Sequence, residues 1–208
     1  MSIKKIVLTG GPCAGKTTAL VCINDFFTRL GYKVFTVPEV PTMITQSGWS
    51  YLTDNKAFYY EGEKVILELQ LALEDKIQQL AKTCKENCLI VCDRGALDIS
   101  AYISPEMWNE LMESCGTNHE QILKRYDGVV HLSSAAEGAE KHYTLVTNAN
   151  RYEKADEAGL ALARSLNTKV LEAWQTHPVV RTIESMDDFD KKMKLVVETI
   201  YDIIKPEN

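Results

Sequence analysis

No two cysteines in this chain are separated by two residues, and neither a histidine nor a second cysteine pair follows Cys84 and Cys88 at zinc-ligand spacing. A zinc ribbon or finger is thereby excluded, and the six cysteines (Cys13, Cys22, Cys84, Cys88, Cys92 and Cys115) read as free thiols of a reducing compartment. Positive charge is short as well: 23 Lys and Arg stand against 29 Asp and Glu, a formal net charge of −6. The average surface therefore repels duplex nucleic acid and anionic bilayers, although a local basic patch would escape that average. Missing too is any apolar run near the roughly 20 residues of a membrane span. The first strand-like segment begins at Ile3, so no signal peptide is expected ahead of it. These absences point to a cytoplasmic protein with no transmembrane segment and no nucleic-acid partner. What remains is 208 residues with 45% apolar content, enough for one well-buried core and an excursion from it.

The order of segments is that of a parallel sheet. Ile3–Thr9 is a short apolar run that ends in glycines, Lys16–Leu30 reads as a helix stopped by Gly31, and Lys33–Val37 is a second strand closed by Pro38. A long helix is expected from about Lys56 to Lys82, with Ile66, Leu69, Leu73, Ile77 and Leu80 along one stripe. Gln70 falls about 40° from the centre of that stripe at about 100° per residue. Cys88–Cys92 is a third strand, followed at once by Asp93, Arg94 and Gly95. Shorter helices are expected at Pro105–Ser114 and Asn118–Lys124, a fourth strand at Gly128–Leu132 and a helix at Glu153–Trp174. Pro178–Ile183 supplies the fifth strand and Asp187–Ile204 the last helix, while Ser133–Arg151 is polar, irregular and without periodicity. The expected fold is α/β: a five-stranded parallel sheet flanked by helices, in a single domain over 1–208, with a lid at about 133–151.

The strongest chemical signal is GxxxxGKT at Gly10, Gly11, Pro12, Cys13, Ala14, Gly15, Lys16 and Thr17. It follows a strand and opens a helix, the context in which such a loop wraps a phosphate with inward N–H groups. Lys16 is expected on the β and γ phosphates, and the Thr17 hydroxyl on Mg2+. Asp93 ends an apolar strand, where its carboxylate either reaches the same Mg2+ or caps a helix. Arg94 beside it meets an anionic substrate or makes a surface ion pair. Glu39, between Pro38 and Pro41 at the end of strand two, stands where ligands sit in doubly wound sheets, and a carboxylate there takes a proton from an attacking hydroxyl. In the lid, Lys141, His142, Tyr143 and Arg151 bring cations and aromatics that close on a transferring phosphoryl group. Gln70 and the aromatics Trp49, Tyr51, Phe58, Tyr59 and Tyr60 either hold an acceptor or pack helix against sheet. Asp98 either hydrogen-bonds that acceptor or caps a helical turn.

With those residues on the page, the sequence resembles the kinase-like P-loop NTPase family that contains the nicotinamide-riboside-kinase domain of a bacterial regulator and the animal TRP-channel-translocation-defect protein, an AAA-type ATPase-like domain. The resembling stretches are GGPCAGKTT at 10–18, VPEVPT at 37–42, LELQLALEDK at 67–76, CDRGALDISAY at 92–102, and GAEKHYT…NR with AW…HPVVR at 138–181. Proline after the paired glycines is also similar to nucleoside and nucleoside-monophosphate kinases, whose strand order is 2-3-1-4-5. The resemblance implies ATP or GTP binding with Mg2+, puts Thr18 with the nucleotide-binding set, and maps Lys16, Thr17 and Asp93 to phosphate and metal. Looser similarity to deoxynucleoside kinases implies a base at Glu39 and a lid arginine at Arg151. One departure stands out. The Glu-Arg-Ser of those kinases is here Asp93-Arg94-Gly95, so a hydroxyl at position 95 is lost.

Two functions fit these residues. One is a small-molecule kinase that moves the γ-phosphoryl to a nucleoside-like or riboside-like acceptor. Glu39 is then the base, Arg94 and Arg151 stabilise charge, and Gln70, Asp98, Lys141 and Tyr143 contact the acceptor. The other is a nucleotide-dependent binding module or switch with a phosphoinositide or protein partner and little turnover, the kind of role with which the animal relatives are associated.

Overall fold

The computed structural model describes residues 1–135 and 157–205. Five parallel strands run in the order β2-β3-β1-β4-β5, as the segment order and the resemblance imply. They are β1 (Ile3–Gly10), β2 (Lys33–Val37), β3 (Cys88–Asp93), β4 (Gly128–Leu132) and β5 (Val180–Ile183). β1 is central because it is apolar on both faces: Ile6, Val7 and Leu8 are all fully buried. It pairs Leu8 with Asp93 on one side and Gly10 with Leu132 on the other, so the carboxyl ends of β1, β3 and β4 stand level.

Alternation along β1 sorts the core into two layers. Val7 faces a cluster with Leu67, Ile90, Cys92, Leu97, Val129 and Trp174, under helices α3 (Lys56–Ala81), α4 (Pro105–Ser114) and α6 (Glu157–Trp174). Ile6 and Leu8 face the opposite cluster, with Ile23 and Phe27 of α1 (Lys16–Arg29) and Val196 and Ile200 of α7 (Phe189–Ile204). Burying each of these large side chains contributes about 1.5–3 kcal/mol before the entropy of ordering is subtracted. The short α5 (His119–Leu123) is capped by Asn118, whose side chain accepts from Gln121 N, as its position suggests.

Two differences from the sequence reading concern local structure. After β2 comes a seven-residue helix that the sequence reading does not include, α2 (Val40–Gln46), with Glu39 as its N-cap. Pro41 does not oppose this, since the first turn has no intrahelical use for the missing N–H. Asp93 belongs to β3 itself, and a 3-10 helix (Ala96–Ala101) follows. Lys141, His142, Tyr143, Arg151 and the expected start of α6 at Glu153 lie outside the described residues. Among the described residues no helix is long and apolar enough to cross a membrane.

Candidate nucleotide and phosphoryl site

Between β1 and α1 the chain makes a tight loop whose shape depends on its glycines. Gly10 has φ +139, and a Cβ there would lie 2.1 Å from the Leu132 carbonyl oxygen of the neighbouring strand. Gly15, at φ +92, is the N-cap of α1, and Cys13 also takes a left-handed conformation at φ 54. The helix start has no side-chain cap hydrogen bond and no acidic residue in its first turn. Its amides and dipole therefore favour an anion. The Lys16 ammonium folds over the loop and donates to the carbonyls of Gly10 (3.0 Å) and Gly11 (3.1 Å).

The same lysine sits among charges brought by two other strands. Burial holds its pKa down to about 8, the nearby Arg94 cation adds to that, and Glu39, Asp93 and Asp98 oppose it. Asp93, at the end of β3, is pushed upward mainly by burial, with Lys16 pulling it back and Glu39 adding to the rise. Its Oδ1 is buried and has no hydrogen-bond partner. An orphaned carboxylate oxygen beside a phosphate loop, with the exposed Thr17 hydroxyl on the adjoining turn, is the donor chemistry that a hard divalent cation takes. Among the described residues there is no cluster of three or more His, Cys, Asp or Glu that would cage a metal.

Arg94 is bent into this space by its backbone. It has φ 69, uncommon for a long side chain, and its N–H reaches the Leu8 carbonyl at 3.1 Å while its carbonyl accepts from Gln70 Nε2 at 3.4 Å. The guanidinium donates through Nε to Glu39 Oε1 at 2.5 Å and lies 5.9 Å from the centre of the Tyr102 ring. Glu39 Oε2 accepts from Thr42 Oγ1 at 2.9 Å. Burial alone would raise the Glu39 pKa, but Arg94, then Lys16, then the hydrogen bonds outweigh it and hold it down to about 2. Glu39 and Arg94 are therefore paired through Nε, while Arg94 Nη1 is buried without a hydrogen-bond partner, 3.8 Å from Asp98 Oδ2.

Lys16, Thr17, Asp93, Glu39 and Arg94 thus gather at the carboxyl ends of β1, β2 and β3. Two other expected site residues are buried beside that group, each in contact with Arg94: Asp98 Oδ2 lies 3.8 Å from its Nη1, and Gln70 Nε2 donates to its carbonyl. Asp98 is buried, with Oδ2 accepting from Thr9 Oγ1 (2.6 Å) and Oδ1 from Trp174 Nε1 (2.5 Å). Gln70 donates to Glu74 Oε1 at 2.9 Å and is likewise buried. Asp98 ties β1 to α6, and Gln70 bonds Glu74 within α3 and the Arg94 carbonyl beyond β3. The physical reason is the same: each group sits in a dry interior where its hydrogen bonds must be satisfied internally.

Several partners in these ties escape sequence reading. Glu74 collects Gln70, the Tyr126 hydroxyl (2.7 Å) and Arg125 Nε (2.9 Å). Its place one turn after Gln70 in LELQLALEDK was the available signal. Trp174 closes over Gly95, where a Cβ would lie 2.7 Å from the indole, and that crowding accounts for glycine at the position where kinases carry serine. Three of the five expected aromatics group together, Trp49, Tyr51 and Tyr59 with ring centres 4.4–6.4 Å apart, while Phe58 is exposed. Inside that group is the buried Glu63, whose carboxyl is pushed up to about 7 by burial, against a hydrogen bond from Tyr59.

A family model described as an AAA domain matches residues 5–191. The chain belongs to the AAA domain family. Together with the loop geometry and the 2-3-1-4-5 sheet, the match makes this a nucleotide-binding P-loop protein. Among curated proteins, none matches the sequence.

Proposed function

We infer that the protein is a Mg2+-dependent phosphotransferase that moves the γ-phosphoryl of ATP or GTP to a small hydroxyl-bearing acceptor of nucleoside or riboside type. One observation carries this reading. A carboxylate just past β2, at the N-cap of α2, and a guanidinium just past β3 meet in a 2.5 Å ion pair beside Lys16 and Asp93. Gripping a nucleotide needs only the loop and its metal, whereas phosphoryl transfer needs a proton acceptor on one side of the γ-phosphate and a mobile cation on the other.

The phosphate loop and Lys16 bind the triphosphate, and Thr17 and Asp93 hold Mg2+. The ion, when bound, neutralises charge that develops on the phosphoryl oxygens. A γ-phosphate competes with Glu39 for the Arg94 guanidinium, since both are oxyanions matched to its donors. Once Arg94 turns to the phosphoryl group, Glu39 loses the charge that depresses its pKa most, and its basicity rises next to the acceptor hydroxyl. Glu39 then takes the hydroxyl proton as the oxygen attacks the γ-phosphorus and the bond from that phosphorus to the β,γ-bridging oxygen breaks, releasing the nucleoside diphosphate. Arg151 is assigned to the same charge from the lid, and Lys141 and Tyr143 to the acceptor.

The pairing of Glu39 with Arg94 also favours a second reading. A carboxylate held near pH 2 is a poor base at neutral pH. A protein that never breaks the pair would bind nucleotide and signal its presence to a phosphoinositide or protein partner. Release of ADP in a screen of nucleosides, ribosides and phosphoinositides decides between the two. Turnover with any of them supports the kinase, and tight nucleotide binding without turnover on every acceptor supports the module.

A further inference from the structure

The phosphate loop is held from behind by side chains that carry no part of the GxxxxGKT pattern. Lys192 of α7 is 3% exposed, and its ammonium donates to the Ala14 carbonyl at 3.1 Å and to the Ser133 carbonyl at 2.9 Å. Burial holds its pKa down to about 8, with Glu184 opposing, so the group is chiefly cationic at neutral pH. Ser134, fully buried after β4, donates its hydroxyl to the Pro12 carbonyl at 2.5 Å. α7 lies directly against the loop, since a Cβ on Gly15 would come within 3.0 Å of the Phe189 ring.

These bonds have a geometric consequence. There are no cis peptides among the described residues, and a trans peptide is planar, with its C=O and N–H pointing in opposite directions. Drawing the Ala14 carbonyl toward Lys192 turns the Gly15 N–H to the other side of the loop. Drawing the Pro12 carbonyl toward Ser134 does the same for the Cys13 N–H. Cys13 and Gly15 are also the loop residues between Pro12 and Lys16 with positive φ, at 54 and 92. Amides turned to one side by such alternating backbone form an anion-binding concavity.

We propose that Lys192 and Ser134 are positioning residues for the triphosphate: they hold two loop carbonyls outward, so that the Cys13 and Gly15 amides face the phosphates before any ligand arrives, and Lys192 adds a buried positive charge behind the loop. This rests on the phosphate-loop assignment and not on the choice between kinase and module. Neither residue touches the nucleotide.

The test is calorimetric titration of inorganic tripolyphosphate and of Mg-ATP into the full chain. Lys192→Met should weaken both ligands by the same factor, at least about tenfold, the loss expected when a charge-assisted hydrogen bond that organises the site disappears. Lys192→Arg, which keeps a cation and its donors, should bind more like the wild type than like Lys192→Met. Affinity within twofold of wild type in a folded Lys192→Met protein overturns the proposal, as does equal loss in the Met and Arg variants. Should Lys192→Met fail to fold, Ser134→Ala removes one hydroxyl from the same scaffold. A several-fold loss of tripolyphosphate affinity there supports the proposal, and an unchanged affinity overturns it. Lys16→Ala serves as the control: if it too leaves binding intact, the phosphate-loop assignment itself is what fails.

Discussion

The phosphate loop and the Glu39–Arg94 pair stand at the ends of neighbouring strands but are built by opposite means. The loop is a backbone device: eight consecutive residues, Gly10 to Thr17, set its dihedrals, and Gly10 and Gly15 permit the approach that any Cβ would block. The pair is a side-chain device assembled across 55 positions, and its electrostatics arise from burial and from Lys16 lying nearby. A backbone device tolerates little variation in its own residues, even where distant side chains brace it. A side-chain device depends on everything that packs around it, and it can be rearranged by a competing anion.

That contrast can be broken at its chemical end first. Glu39→Gln keeps the shape and removes the basicity, so turnover of an acceptor should fall by roughly 10²–10⁴-fold while nucleotide affinity stays within about twofold. Steady-state kinetics beside calorimetry read the two quantities separately. A Glu39→Gln protein that turns over at the wild-type rate would remove Glu39 from the mechanism and leave the loop untouched.

A second comparison sets Glu39 against Glu63, two glutamates moved in opposite directions. Glu39 is depressed from 4.5 to about 2, so its contribution to stability is present above about pH 4.5 and is lost as pH falls toward 2. Glu63 is raised from 4.5 to about 7, so its contribution is present below about pH 4.5 and is lost as pH rises through 7. Each shift corresponds to about 3 kcal/mol. Denaturant unfolding across this range should show Glu63→Gln flattening the decline between about pH 4.5 and 7, with the acid limb retained. An unaltered profile would mean that the Glu63 carboxyl is ionised in the folded protein.

At the loop, Lys16→Ala removes a charge-assisted contact worth about 1.5–3 kcal/mol, a loss of at least tenfold in nucleotide affinity. Unchanged affinity by calorimetry would end the phosphate-loop reading. The smallest effect is expected at the seam between the two devices. Gly95→Ala places a methyl 2.7 Å from the Trp174 ring at a backbone angle of φ −116, where no glycine conformation is required. Crowding alone should then destabilise the fold by about 1–3 kcal/mol, measured by thermal melting, with nucleotide affinity little changed. A variant as stable as wild type would show that the indole can shift at no cost.

How far the sequence could be read follows the same division. The five strands and the phosphate loop were legible because each is encoded by neighbours in the chain, in apolar runs and in glycines at strand ends, whereas the 2-3-1-4-5 order was implied by the resemblance to nucleoside kinases. Glu39, Asp93 and Arg94 were legible as candidates because strand ends mark where ligands sit. Gln70 and Asp98 were legible only as polar residues on or near apolar elements, a pattern equally consistent with reading a ligand and with bracing the core. In the structure Thr9 and Trp174, far from Asp98 in the chain, and Glu74, one turn beyond Gln70, take up their polar atoms inside the fold.

The sequence by itself therefore determined the architecture and the place of the phosphates, because local patterning and backbone sterics act over a few residues. Only the tertiary structure decided which polar side chains face the opening and which are consumed inside. It also decided that Glu39 rests against Arg94, and that Lys192 and Ser134 brace the loop from elements more than a hundred positions away. Those outcomes depend on burial and on charge–charge distances, which come into existence only when distant segments meet and water leaves between them.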